Sequence, residues 1–247
     1  MVYVFFYCLV FLVSTLQRSI YRMDFINKIK AFACISLVSV QSYAGIGLET
    51  TRVIFNQNDK SESVTAFNTS ANMEFLLQSW IEGEDKKFSP DFIVTPPLMK
   101  LGAEKKNAMI ITKIAELTDT VERLYWLNVR FIPASDKTTE NVLRYSMTKK
   151  IKLIYRPKDL EKVDFDREIK KLVWEVQGDQ LVVSNPTAYI INLNSIDINS
   201  ESVDDINYLR PQAKTNFKLK SKYPANPKIK FSYINDYGAV IATEVAS

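Results

Sequence analysis

Two cations set inside strand-like sequence are the residues best suited to do chemistry. Arg52 interrupts the run Thr51-Arg52-Val53-Ile54-Phe55, and Lys152 interrupts Ile151-Lys152-Leu153-Ile154-Tyr155. A charge within a strand ordinarily faces solvent. Two cations on neighbouring strands can instead form a carboxylate site, because Lys brings a compact point charge and Arg a planar fork suited to bidentate capture. Other chemistry is poorly supplied. The 247 residues include no His and only two Cys, Cys8 and Cys34, so the commonest general base and metal ligand are missing. No nucleophile–base pair or zinc-ligand set remains. Six Gly are too few to suggest a Gly-rich phosphate loop. Carboxylate neighbours such as Asp204 and Asp205 lie in a polar, loop-like stretch and read as a solvated turn. The expectation is a protein that binds rather than catalyses, with no catalytic residue, metal or cofactor.

The element that must carry Lys152 runs from Asn141 to Pro157, NVLRYSMTKKIKLIYRP. Leu143, Tyr145 and Met147 alternate with Arg144, Ser146 and Thr148, a period of two that predicts a strand with one apolar face. That face either covers an ordinary core or is lent to another protein. Strict alternation puts Lys152 on the face opposite Leu143, Tyr145 and Met147. For all four to serve one partner, the strand must twist, bend or carry a bulge, and the Lys149-Lys150 doublet is its natural place.

The remaining chain is read as short β segments. Strands are expected over 47–56, 63–68, 73–82, 107–112 and 124–132, with Trp80 as a core aromatic and Thr95-Pro96-Pro97 as a ladder break that can hold a cis bond. Residues 134–140 form a polar loop. A charged stretch over 159–171 suits a short helix or linker. A second strand set follows at 171–176, 180–184, 189–198, 216–220 and 228–234, with turns at Asn185-Pro186-Thr187 and Asn235-Asp236-Tyr237-Gly238. The spacing of the first set suggests an antiparallel sandwich of the immunoglobulin type, and the second set a smaller β domain, so the chain is expected to be all-β. The N-terminal domain is placed at 45–157 and the C-terminal domain at 158–247.

Residues 1–44 read as a signal and targeting region. Lys28 and Lys30 precede the apolar run 31–40, and Ser42-Tyr43-Ala44 offers small residues for cleavage after Ala44. Met23 is taken as the true start, with one long signal region or a membrane anchor as the alternative for residues 1–22. Cleavage removes both Cys, four basic residues and Asp24, leaving 28 of the 32 Lys+Arg against 27 of the 28 Asp+Glu. Such a balance gives no case for nucleic acid or an anionic membrane surface. The mature chain is expected not to be membrane-embedded.

Several stretches together resemble the periplasmic pilus (fimbrial) chaperones of the chaperone–usher pathway. They are TRVIF at 51–55, TPP at 95–97, LTDTVERLYWLNVRFIP at 117–133, KIKLIYRP at 150–157, NPT at 185–187 and YINDYG at 233–238. Within the third, Glu122, Asn128, Ile132 and Pro133 fall at the family's characteristic positions. Val121 and Leu101-Gly102-Ala103 depart from the usual pattern. The resemblance implies two immunoglobulin-like domains set at an angle around a cleft. It implies that Leu143, Tyr145 and Met147 are donor side chains inserted into a subunit's incomplete sandwich. It further implies that Arg52 and Lys152, with help from Thr51, hold the subunit's C-terminal carboxylate. Glu122, Arg156 and Asp236 would form a structural network between the domains. Partners implied are pilus subunits and an outer-membrane usher, with self-association of the free chaperone left open. The short segment 134–140 and the Cys-free mature chain favour the short-loop class. A secreted two-domain adhesin or pilus component is the alternative, although Gly45 to Thr51 is too short for a subunit's donor extension. A secreted β-sandwich hydrolase is a third reading, opposed by the lack of His.

Overall fold

The computed structural model describes residues 45–134, 145–162, 164–224 and 227–245. The upstream targeting segment, the loop 135–140 and Leu143 lie outside the described residues. Nine strands form the first domain: β1 (Ile46–Leu48), β2 (Arg52–Asn56), β3 (Ser61–Asn68), β4 (Phe75–Gly83), β5 (Phe92–Thr95), β6 (Leu98–Leu101), β7 (Lys106–Lys113), β8 (Arg123–Pro133) and β9 (Met147–Arg156). One sheet has the order β1-β3-β7-β5 and the other β2-β9-β8-β4-β6. Period-two alternation explains the packing. Leu127, Val129 and Phe131 on β8 and Leu153 and Tyr155 on β9 turn inward with Phe55, Leu77, Met109 and Ile111, all buried. Each large side chain so removed from water contributes about 1.5–3 kcal/mol.

Two local readings need correction. The stretch 47–56 is not one strand. Its first part pairs with β3 and its second, in parallel, with β9, so the chain crosses between sheets at Glu49-Thr50-Thr51. The Thr50 hydroxyl closes that crossing by donating to the Arg52 carbonyl at 2.6 Å. Trp80 is not a core aromatic. Leu77, Ser79 and Ile81 take the buried parity, and Trp80 lies on the other face, under the Arg130 guanidinium at 5.3 Å and donating to Glu82 at 2.8 Å. The Thr95–Pro96 bond is cis.

A 3-10 turn (Lys158–Leu160) and a short helix, α1 (Phe165–Ile169), lead onward. Asp164 caps α1 by accepting the Arg167 N–H at 3.2 Å. The second domain contains β10 (Val173–Gln177), β11 (Gln180–Asn185), β12 (Ile191–Ile198), β13 (Glu201–Ser202), β14 (Tyr208–Leu209), β15 (Ala213–Lys218), β16 (Ile229–Ile234) and β17 (Val240–Glu244). Its sheets are β10-β11-β15 and β13-β12-β16-β17, with β14 beside β12. Leu181, Val183, Ile191, Ile196, Phe217 and Phe231 fill the space between them. The expected pair of immunoglobulin-like sandwiches is thus the observed architecture. A third, smaller cluster joins the domains: Leu124, Ile154, Ile54 and Trp126 from the first meet Ile190 and Tyr208 from the second.

Asn185 shows how the second domain holds its turns. Its side chain is fully buried and donates to the carbonyls of Tyr189 and Arg210 at 2.8 and 3.0 Å. Its oxygen accepts from the Thr187 amide and hydroxyl at 3.0 and 2.7 Å. Truncation leaves buried polar groups unpaired, at about 1–3 kcal/mol for each group. Asn185→Ala is therefore expected to lower unfolding free energy by at least about 2 kcal/mol in urea titration; an unchanged midpoint would show the turn to be held by other contacts.

Candidate functional site

The site is built where β2 joins β9. The two strands run parallel, and Arg52 is in register with Lys152. On its other side β9 pairs with β8, which places Lys152 opposite Trp126. Arg52, Lys152 and Trp126 thus form one rung across three strands of the first domain. A second rung faces it. In the second domain Asn192 of β12 is opposite Tyr208 of β14 and Ile234 of β16. The rungs touch side by side: Arg52 Nη1 donates to the Ile234 carbonyl at 3.3 Å, and Lys152 Nζ donates to Asn192 Oδ1 at 2.6 Å. Lys152 Nζ also lies 4.8 Å from the Tyr208 ring centre and 5.9 Å from that of Trp126.

Both cations are desolvated. Burial pushes Lys152 down to about 8, and the neighbouring Arg52 charge adds to that shift. Burial also lowers the Arg52 guanidinium from its ordinary value, against the opposing pull of Asp236. Among the described residues, no carboxylate forms an ion pair with either, and the buried Arg52 Nε has no hydrogen-bond partner. Thr51 is exposed and its hydroxyl lies against Gly238, where an added Cβ would come within 3.1 Å. Gly238 has φ +83°, so the turn carrying Asp236 favours glycine on both counts.

Two steps beyond Lys152 on the same strand face, after Ile154, is Arg156. Its side chain is buried and bridges three segments. Nε donates to Glu122 Oε1 at 2.6 Å, and Nη1 and Nη2 donate to Asp236 at 2.6 and 3.1 Å. The Phe165 and Tyr189 rings flank the guanidinium at 5.9 and 5.8 Å. Glu122 Oε2 accepts the Ile190 N–H at 2.7 Å. Burial pushes the Glu122 carboxyl up to about 7, partly opposed by Arg156. Burial alone would lower Arg156, but its bonds to Asp236 and the Glu122 charge hold it above its ordinary value.

The residues singled out in the sequence separate into three places. Arg52, Lys152 and Thr51 meet at the β2–β9 junction. Glu122, Arg156 and Asp236 form one bonded network. Tyr145 and Met147 stand 75% and 42% exposed at the far end of β9. Of the twist, bend or bulge expected at Lys149-Lys150, no bulge is present: pairing with β8 runs unbroken from Met147–Phe131 to Tyr155–Arg123. Lys149 and Lys150 are instead accommodated by the regular ladder, with Lys150 paired to Glu82 at 2.8 Å. Lys152 and Met147 therefore occupy opposite faces of a regular strand. Sequence reasoning missed Asn192 and Tyr208. Their only signals are a polar residue inside the apolar run 189–193 and an aromatic in a short strand.

Comparison with known proteins follows the same division. A family model described as the PapD N-terminal domain of pili and flagellar-assembly chaperones matches residues 45–161. One for the C-terminal domain of the pili assembly chaperone PapD matches 167–245. The chain belongs to the pilus-assembly chaperone family. Among its relatives, the probable fimbrial chaperone LpfB of Escherichia coli O157:H7 is 36% identical over 223 residues, spanning 88% of this chain and 96% of the relative. The periplasmic chaperone SfaE has a solved structure with TM-score 0.70 and 28% identity, over 82% of this chain and all of that one. The SafB chaperone of Salmonella enterica, solved in complex with the SafA pilin, matches with TM-score 0.72 and 25% identity over 81% of this chain and 96% of that one. The resemblance read from six motifs is thus borne out over both domains, and the chain functions as a pilus-assembly chaperone.

The Arg156 network gives a direct test of what binds the domains of this chaperone together. Removing the guanidinium strands two carboxylates, one of them fully enclosed. Breaking a buried pair in this way costs about 3–5 kcal/mol. Arg156→Met is expected to lose that much in denaturant titration at neutral pH. A loss below about 1 kcal/mol would mean that the apolar contact of Leu124, Ile154 and Ile190 suffices alone.

Proposed function

We propose that the chain is a periplasmic chaperone that captures pilus subunits through the open edge of β9 and hands them to an outer-membrane usher. The observation that carries the reading is a pair of desolvated cations, Arg52 and Lys152, placed where that edge ends. From Met147 to Ile151, β9 pairs with β8 on one side, and no described strand covers the other. At Lys152 the edge is closed by β2. A strand added to the open portion would be in line with β2, and its chain end would arrive at Arg52 and Lys152. Main-chain bonds would give affinity, and the carboxylate would accept from both cations, with Thr51 beside them.

This arrangement also removes the difficulty of the two faces. A carboxylate at a chain end is met in the plane of the sheet, so Lys152 need not share a face with the donor side chains. Tyr145 and Met147, with Leu143 preceding them, would fill pockets in the subunit, while Lys152 fixes the register. The periplasmic setting rests on the family and on the signal-like residues upstream of Gly45. No enzymatic step is assigned. A regular two-domain sandwich with an uncovered strand edge also fits an adhesin, but an adhesin offers no account of two half-buried cations without a carboxylate partner among the described residues.

Three measurements test the reading. In periplasmic pull-downs of the tagged chain with mass spectrometry, Arg52→Ala and Lys152→Ala are expected to stay folded and lose co-eluting pilus subunits; wild-type recovery by either would remove the carboxylate anchor. Tyr145→Asp and Met147→Asp are expected to lose capture while changing stability by less than about 0.5 kcal/mol, because both side chains are exposed. Capture should also depend on pH. Lys152 in the free chain titrates at about 8, and only its charged form pairs with a carboxylate. Binding should therefore take up a proton near that pH and weaken from pH 7 to 9.5. Calorimetry in buffers of different ionisation enthalpy checks this, and a pH-independent affinity would contradict it.

A further inference from the structure

The two cations are held in place by the second domain, and the groups that hold them are all neutral. Lys152 donates to an amide oxygen, Asn192 Oδ1, and Arg52 donates to a main-chain carbonyl, that of Ile234. Asn192 and Ile234 are register partners, as are Arg52 and Lys152. The other groups facing Lys152 are the rings of Trp126 and Tyr208. The carboxylates nearby are already engaged elsewhere. Asp236 is bound twice by Arg156, and Glu84 accepts from Tyr208 Oη at 2.6 Å and Arg210 Nε at 2.9 Å.

A neutral acceptor does something that a carboxylate could not. It takes one N–H of the ammonium and fixes where the nitrogen sits, yet leaves the positive charge uncompensated. An acidic residue at the same place would pair with Lys152 outright and compete with any incoming carboxylate. Lys has three donors, so one bond to Asn192 leaves two for a ligand. Tyr208 adds a ring face to one side, and its own hydroxyl is fixed by Glu84 from the first domain.

We propose that Asn192, backed by Tyr208, is a positioning residue for carboxylate capture: it orients Lys152 without neutralising it, so that the second domain supplies the half of the site that keeps the anchor charged and aimed. The inference rests on the reading of Arg52 and Lys152 as a carboxylate anchor. It commits the second domain to a part in client binding that does not require it to touch the client.

The test uses the full chain and the near-isosteric change Asn192→Asp. The variant should pair Lys152 internally with the carboxylate introduced at position 192, raise the thermal midpoint of the free protein, and yet reduce co-purified pilus subunits to the level of Lys152→Ala. A merely structural role would lower stability and capture together, and Asn192→Gln, which keeps a neutral acceptor, should retain part of the capture. A client-free readout runs beside it: labelling of Lys152 by acetic anhydride, followed by mass spectrometry at pH 8. Pairing with the new carboxylate should slow labelling about fivefold or more, because raising the lysine's pKa from about 8 by about one unit or more cuts its neutral fraction at pH 8 to about a tenth or less. Capture at wild-type yield by Asn192→Asp, or unchanged labelling, overturns the proposal. If Lys152→Ala itself keeps its clients, the anchor reading fails instead; if Lys152→Ala loses them while Asn192→Asp does not, only the positioning role of Asn192 fails.

Discussion

Taking charge out of water is the constraint on which this molecule depends. Arg156 is almost wholly buried between the domains, and it is tolerated there because Glu122 and Asp236 take up its donors and two aromatic rings cover its faces. Glu122 in turn accepts an amide hydrogen from Ile190 across the junction. A satisfied buried pair is weak evidence for net stability but strong evidence for a specified geometry, since any slip exposes an uncompensated charge. Once that contact is made, Leu124 and Ile154 rest on Ile190, and the two three-residue rungs above them come face to face.

The same physics runs in reverse four residues back along the strand, at Lys152. At Arg156 the charge is paired with two carboxylates; at Lys152 it is bonded to an amide oxygen, with no carboxylate partner among the described residues. Both residues point the same way from β9, and both are gripped by the second domain. The difference lies in what that domain presents: a carboxylate from the Asn235–Gly238 turn to one, and an amide and a carbonyl to the other. Alternation along a single regular strand is enough to set a charge paired with carboxylates and a charge held by a neutral acceptor on one face.

Much of this was legible in the sequence, for identifiable reasons. Arg52 and Lys152 stood out because each breaks an apolar run, and strand parity then placed Lys152 opposite Met147 correctly. Glu122, Arg156 and Asp236 fell within motifs whose resemblance extends over both domains. Other features were hidden by the same parity rule. Trp80 has apolar neighbours on both faces, in LLQSWIE, and its size argued for the core while its position argued against. The crossing at Glu49-Thr50-Thr51 carries no Gly or Pro, because a threonine hydroxyl makes the turn. Asn192 could not be singled out from the sequence, since its bond to Lys152 depends on which residue of a distant strand faces it.

The closure of the β9 edge by β2 has a consequence for what can be recognised at all. A polypeptide lying along that edge has room only as far as Lys152, where another strand of the same protein already occupies the next place. A segment from the middle of a chain would have to continue into space that is filled. Only a polypeptide that stops there fits, and one truncated early would leave the cations unreached. If clients bind as proposed, such an edge would measure where a chain ends as well as what it contains, and would tell a completely synthesised client from an unfinished one.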